Sequence, residues 1–307
     1  MNPAALISVV IPTHNPDPGR LMQTLLGLRA QSAEARPFET LVVDNASTRF
    51  PDAAFFLECA PEDFQIVREE RLGLTAARLA GFGATRGDLV ILVDDDNVLE
   101  AGYIAAARQI ARDHPFLMSW SGNVELAFEA GAVPPPTLWR SYLTERVCVR
   151  AVWSNDPGHN ASTPWGAGMC VRRALADAYR DHCSRDSKRL SLDLSGDRLT
   201  YGGDTDIAYF GCAMGFGMGV FPQLRLKHLI PAGRCEKAYL LRAIEGHAYS
   251  EWLHHWILNG KLPAEPGGLR AGAGRILRRL QPGPGGAAER ACASGRRRAA
   301  REFGRSP

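Results

Sequence analysis

At 307 residues, with 45% hydrophobic and 22% charged residues, the chain has the composition of an ordinary folded protein and the length for one large α/β domain or two modest ones. Its net charge of +3 is unevenly spread: residues 264–307 hold ten Arg, three Glu and neither Lys nor Asp, so they carry +7 and residues 1–263 carry −4. The acidic body gives no sign of broad nucleic-acid binding, seven scattered Cys without a Cys-x-x-Cys pair argue against a disulfide framework or zinc site, and no apolar stretch reaches the ~18 residues of a spanning helix.

In chain order, Leu6–Ile11 is a β-branched run closed by Pro12, and Leu21, Leu25 and Leu28 mark a helical stripe. Thr40–Val43 predicts a second strand, ending in Asp44-Asn45-Ala46-Ser47, and Phe64–Val67 a short third. Thr75–Ala84 is Ala-rich and helical. Residues 89–97, Leu-Val-Ile-Leu-Val-Asp-Asp-Asp-Asn, read as a strand buried on both faces that exits into three acids. Glu100–Arg112 returns to helix. Such βαβα alternation predicts a mostly parallel sheet covered by helices. Past residue 115 the pattern changes. Pro134–Pro136 marks a loop, Gly166–Arg172 a strand feeding a helix from Arg173 to His182, and residues 184–202 a polar loop. Asp204–Gly215 predicts a helix, Val220–Lys227 a strand ending at His228, and Glu236–Leu258 a long amphipathic helix. After Pro263 the Gly, Pro, Ala and Arg content predicts a flexible tail. The N-terminus lacks a basic region before its apolar run, so no signal peptide is expected, and the Cys usage suits a reducing, cytoplasmic compartment.

The acid run at 94–96 is the most informative stretch. Clustered carboxylates at the end of a buried strand repel one another and lose hydration, so a compensating cation is expected. On a strand side chains at i and i+2 share a face, so Asp94 and Asp96 are expected to point together and Asp95 away. A divalent ion bridging a phosphorylated substrate fits two such oxygens, while an exposed acidic turn is the competing explanation. The run is no EF-hand, since its sixth and twelfth positions are Leu99 and Ala105. Gly81-Phe82-Gly83 precedes a strand, the wrong context for a dinucleotide fingerprint, and there is neither a phosphate loop nor a Gly-x-Ser-x-Gly elbow.

Read together, several segments resemble family 2 glycosyltransferases, inverting enzymes with a GT-A fold. They are Val9-Val10-Ile11-Pro12-Thr13-His14-Asn15, Leu41–Ser47, Gly73-Leu74-Thr75-Ala76-Ala77-Arg78, Gly87-Asp88 leading into Asp94–Asp96, Trp165–Met169 and Gly202–Asp206. Their order and spacing match the family's over roughly residues 6–232, and several weak motifs in register are specific where one is not.

The resemblance implies a mixed, mostly parallel α/β sheet of GT-A type, with residues 1–115 as the nucleotide-sugar half, 116–232 as the acceptor half, 233–262 as a C-terminal helical segment and 263–307 as the tail. It implies that Pro12, Thr13 and Asn15 line the nucleotide, that Asp44 accepts a base ring N–H, and that Arg78, Asp94 and Asp95 belong to the same site. Asp94 is implied as a ribose or metal contact. Asp96 and the late His228 are implied as ligands of Mn²⁺ or Mg²⁺, and Trp165, Gly166 and Gly168 as the acceptor side. The family's Glu-Asp pair reads Gly203-Asp204 here. Asp204 is thus the implied general base, with Asp206 in reserve and helix N-capping as a compatible second role for Asp204.

The expected activity is inverting transfer of a sugar from a nucleotide-diphosphate donor, UDP-linked, to a glycan or lipid-linked acceptor. The Arg-rich tail and C-terminal helix suggest peripheral contact with anionic lipid on the inner face of the membrane, against a solvated tail as the plainer explanation. A sugar nucleotidyltransferase and a non-catalytic nucleotide-sugar-binding scaffold are the competing functions.

Overall fold

The computed structural model describes residues 6–158, 160–193, 199–263 and 281–304. Its N-terminal elements are β1 (Ile7–Thr13), α1 (Pro18–Arg29), β2 (Phe38–Asn45), α2 (Ala53–Cys59), β3 (Phe64–Glu69), α3 (Leu74–Ala84), β4 (Leu89–Leu92), β5 (Asn97–Leu99) and α4 (Tyr103–Asp113). There follow β6 (Leu117–Phe128), α5 (Thr137–Arg140), β7 (Val152–Ser154), β8 (Met169–Arg172), α6 (Arg173–Arg185), α7 (Gly203–Ala213), β9 (Gly217–Ile230), α8 (Ala232–Cys235), α9 (Lys237–Asn259) and α10 (Pro284–Phe303). The chain forms two compact units. The first comprises Met1–Ala127, Thr144–Ser187 and Asp204–Leu229, and the second Phe128–Leu143, Lys188–Gly203 and Ile230–Pro307.

The first unit is built on a mixed sheet with strand order β3-β2-β1-β4-β8-β6-β9-β5, and β7 pairs with β9. Strands β3, β2, β1 and β4 are mutually parallel, whereas β8 joins β4 and β6, and β9 joins β5 and β7, antiparallel. Every residue of β1, β2 and β4 is buried, as near-continuous Val, Ile and Leu runs require when helices cover both faces. Helix α1 starts at Asp17, whose carboxylate accepts the Arg20 N–H, with Pro18 at its first position, and it buries Leu21, Leu25 and Leu28. Helix α3 lies so close to β1 that a Cβ at Gly81 would stand 2.3 Å from a Val10 methyl, which explains a glycine inside a helix.

At the amino end of the parallel strands, buried Glu39 accepts the Ser8 hydroxyl (2.6 Å) and the Arg86 N–H (2.8 Å), and Ser8 Oγ in turn accepts the Gly87 N–H (2.8 Å). This satisfied polar network locks one end of the sheet and leaves the carboxyl ends to carry chemistry.

The expected single strand over 89–97 is instead two. The ladder stops at Leu92, Val93 N–H still reaches Val10 O, and Asn97 N–H closes a turn onto Asp94 O at 3.0 Å before β5 begins. Strand alternation therefore does not set the directions of Asp94–Asp96. The twelve-residue β6 was not foreseen, because its small polar residues Ser119, Ser121 and Asn123 break the apolar run that marks a buried strand.

In the second unit α9 and α10 pack together. Leu192, Tyr249, Trp252, Leu253 and Ala299 form its core, and Trp256 stacks on Phe303 with ring centroids 4.9 Å apart. A Cβ at Gly295 of α10 would stand 2.2 Å from Glu245 O, so small residues let the two backbones approach. Residues Pro284–Phe303 thus form a packed helix within the segment expected to be a flexible tail. Composition alone misleads here, since Ala and Gly that read as disorder are what close helix packing uses. Residues 264–280 of that segment lie outside the described residues. Among the described residues no helix is long and apolar enough to cross a membrane.

Candidate active site at the carboxyl ends of the strands

Open α/β sheets bind ligands beyond the carboxyl ends of their strands. Here β1 ends at Thr13 and β2 at Asn45, with Thr13 and Asp44 in register, and the acid turn 94–96 follows β4. The Thr13 hydroxyl donates to Asp95, tying the acid turn to the end of β1. Asp95 therefore points to β1.

Asp96 is buried, accepts the Asn97 side-chain amide at 2.9 Å, and lies 3.4 Å from His228 Nε2. The pair is set by strand register, because Asn97 of β5 pairs with His228 of β9 and the Leu229 N–H bonds the Asp96 carbonyl. Asp94 is half-buried. Burial, foremost, pushes its carboxyl above the usual range; nearby Arg78 opposes that shift, Asp96 adds to it, His228 opposes and Asp204 adds. Arg78, Asp94, Asp96, His228 and Asp204 therefore share one electrostatic neighbourhood, assembled from α3, the acid turn, β9 and α7.

Asp204 is the second residue of α7. The Gly203 N–H is taken by Asp193 Oδ1 (3.1 Å). Its carboxylate accepts the Thr205 N–H (2.8 Å) and the Gly166 N–H (2.5 Å). Gly166 also touches Arg78: a Cβ there would stand 2.5 Å from the guanidinium and 3.2 Å from Asp204 Oδ2. The reserve acid Asp206 is fully buried and accepts the Tyr179 hydroxyl at 2.7 Å. This bond turns it into the core.

Around β2, Asp44 is 5% exposed and accepts the Ser47 N–H (3.1 Å) and Arg68 at 2.6 Å. Sequence reasoning missed Arg68. Its signal lay in the parallel register, which sets Arg68 of β3 opposite Asp44. Asn15, at φ 49°, holds the following loop by accepting the Thr48 and Arg49 N–H groups, and its own N–H meets Ser47 Oγ. Pro12 is buried inside β1.

On the other side of Asp204, Trp165 is half-buried and the Arg146 guanidinium lies 4.3 Å from its ring centroid. One indole face is thus already covered. Gly168 sits at φ +70°, and a Cβ would meet Tyr103 Oη at 2.3 Å, while that hydroxyl donates to Gly168 O. Backbone conformation and close packing account for this glycine.

Among the described residues no group of three or more His, Cys, Asp or Glu is placed to hold a metal ion. The donors present suit a Mg²⁺- or Mn²⁺-type ion shared with a substrate, which takes one or two carboxylates and completes its shell with phosphate oxygens and water. Asp96 and His228 offer the protein side of such a shell, and the crowding of Asp94 against Asp96 is relieved by positive charge. A cleft of about 600 Å³ lies elsewhere, along α9 and α10, lined by Glu245, Ser294, Arg297, Arg298, Arg301 and Glu302, and contains none of these groups.

Comparison with known proteins bears on the family and the fold. Residues 8–137, less than half of the chain, match the family described as Glycosyl transferase family 2. A stretch of 113 residues is 29% identical to the uncharacterized protein y4gI of Sinorhizobium fredii (strain NBRC 101917 / NGR234), covering 36% of this chain but only 12% of that protein. The crystal structure of S. aureus TarS 1-349 aligns at 15% identity and TM-score 0.48, over 89% of this chain and 69% of that one. The crystal structure of GalNAc-T7 with UDP, GalNAc and Mn²⁺ aligns at 15% identity and TM-score 0.53, over 81% of this chain and 48% of that one. At such identity the likeness to GalNAc-T7 is one of fold. Residues 8–137 are thus similar to glycosyl transferase family 2, and the fold is GT-A.

Proposed function

We propose that the chain transfers a sugar, with inversion, from a nucleotide-diphosphate donor to a hydroxyl of a glycan or lipid-linked acceptor. The observation that carries this reading is the gathering of Asp94, Asp96, His228, Arg78 and Asp204 at the carboxyl ends of the parallel strands. A UDP-linked donor is favoured by GalNAc-T7, whose structure is described with UDP, GalNAc and Mn²⁺.

In this reading Thr13, Asn15, Asp44 and the Pro12 backbone line the nucleotide, and Arg68 orients Asp44. Asp94 and Asp95 belong to the same site, Asp94 facing the donor and Asp95 fixing the turn through Thr13. Asp96 and His228 are the residues to hold Mn²⁺ or Mg²⁺, which would stabilise the charge developing on the leaving diphosphate. The acceptor oxygen attacks the anomeric carbon from the face opposite the donor phosphate. As the new C–O bond forms, the bond to the diphosphate oxygen breaks, and Asp204 takes the acceptor's proton. Arg78 sits between the acids and supplies fixed positive charge without solvent reorganisation. Trp165, Gly166 and Gly168 border the acceptor, Trp165 through the indole face that Arg146 does not cover. The exposed Arg297, Arg298 and Arg301 on α10 support peripheral contact with anionic lipid from the cytoplasmic side.

The test is transfer from nucleotide sugars, with and without EDTA and added Mn²⁺. Asp204→Asn is expected to retain UDP binding and lose transfer by roughly 10²–10⁴-fold, the usual worth of a positioned base. Full transfer by Asp204→Asn would remove the base, and EDTA-resistant transfer would remove the metal.

A further inference from the structure

We propose that Arg146 is a positioning residue for this transfer, holding the 160–166 loop so that the Gly166 N–H meets Asp204; the inference rests on the reading of Asp204 given above. Nothing in the sequence motifs points to Arg146, which lies between the segments that carry the family likeness.

Three sets of bonds fix it. Its backbone is pinned to β6 in both directions, Arg146 N–H to Val124 O at 3.1 Å and Val124 N–H to Arg146 O at 3.0 Å. Its guanidinium then spreads over three carbonyls of the loop, Thr163 O at 2.7 Å, Ala161 O at 3.2 Å and Asn160 O at 3.4 Å. Its plane lies over the Trp165 ring, 4.3 Å from the centroid. Two residues earlier Thr144 adopts φ +71°, a conformation a β-branched residue holds only when its surroundings impose it.

The loop so held delivers two N–H groups. Trp165 donates to Ser121 Oγ at 3.1 Å and Gly166 to Asp204 Oδ2 at 2.5 Å. A guanidinium is the side chain for this task, because its flat fork reaches several carbonyls and lies flat on an indole at once, whereas an ammonium is a compact point charge that cannot stack. Burial lowers the guanidinium to about 10, with Cys148 and Asp204 opposing, which places the Asp204 carboxylate within its field. Removing Arg146 therefore loosens the Trp165–Gly166 backbone and leaves Asp204 with one less fixed neighbour.

The experiment compares wild type, Arg146→Lys and Arg146→Met in the full chain. UDP affinity in the presence of Mn²⁺ is expected to be unchanged in both variants. The acceptor KM is expected to rise and kcat to fall by roughly 10-fold or more, the scale of a loosened reacting geometry. Amide hydrogen exchange at Trp165 and Gly166 is expected to quicken in both variants while β1 stays protected. Unchanged exchange at 165 and 166, or wild-type kcat and acceptor KM in a folded variant, overturns the proposal. If Arg146→Met does not fold, Arg146→Lys, which keeps the charge and the stem, decides alone. If the wild type itself transfers no sugar, the functional reading falls, and the exchange data still decide whether Arg146 holds the loop.

Discussion

Gly166→Ala separates reaction geometry from stability. Gly166 has an ordinary backbone conformation, so an alanine is compatible with its φ, and a Gly→Ala change by itself restrains the unfolded chain by about 0.4–1 kcal/mol in favour of folding. The added methyl would stand 2.5 Å from the Arg78 guanidinium, where ordinary contact begins at 3.4 Å, so Arg78 must retreat by about 0.9 Å. The obstacle is the tip of a flexible side chain, not backbone, so the fold absorbs it. The methyl also stands 3.2 Å from Asp204 Oδ2, whose bond to the Gly166 N–H leaves it little room. Displacing one reacting group by about 1 Å costs on the order of 10²-fold in rate, or about 2.7 kcal/mol of barrier. A thermal melt of Gly166→Ala should therefore stay close to wild type while kcat for transfer falls about 100-fold. Gly168→Ala, two residues on, should lower the melt instead, since its φ of +70° and a Cβ 2.3 Å from Tyr103 Oη attack the fold itself. A folded Gly166→Ala enzyme turning over at the wild-type rate would refute the claim that Arg78 and Asp204 face each other across Gly166 in the reacting complex.

Two further outcomes concern the scaffold. Burial opposes ionisation of Glu39, but the Arg86 N–H, the Ser8 hydroxyl and the Arg86 guanidinium outweigh it and hold the carboxyl below its ordinary 4.5. Its stabilisation is thus complete above pH 4.5 and lost as pH falls through the lower folded value, so urea melts of Glu39→Gln should differ from wild type at pH 7 and converge as the pH is taken well below 4.5. Equal stability of the two proteins at pH 7 would sink this account. Tyr179→Phe removes the buried donor to Asp206 and should cost about 1–3 kcal/mol in the same melts, with kcat per folded molecule unchanged. A collapse of kcat in folded Tyr179→Phe would return Asp206 to the reaction.

Much of the N-terminal half was legible because local pattern and tertiary role coincide there. Buried Val, Ile and Leu runs predict parallel strands, and Asp44 and Asp94–Asp96 follow at strand ends as read. The acid turn shows where that reasoning stopped: its residues were identified, but their directions were inferred from a strand that ends at Leu92. Within the expected flexible tail, Pro284–Phe303 form a helix for a different reason, since Gly and Ala serve equally as linker and as the close contact between α9 and α10.

By itself the sequence determined the strand runs, the placing of acids after them and the order of motifs, because these depend on periodicity over a few residues. Only the tertiary structure decided who meets whom. Arg68 reaches Asp44, Asp193 takes the Gly203 N–H, His228 faces Asp96, and Arg146 grips the loop before Gly166. Each of these pairings depends on strand register or on a long-range approach of separate segments. Such meetings are settled by packing of the whole chain, and no local spacing of residues encodes them.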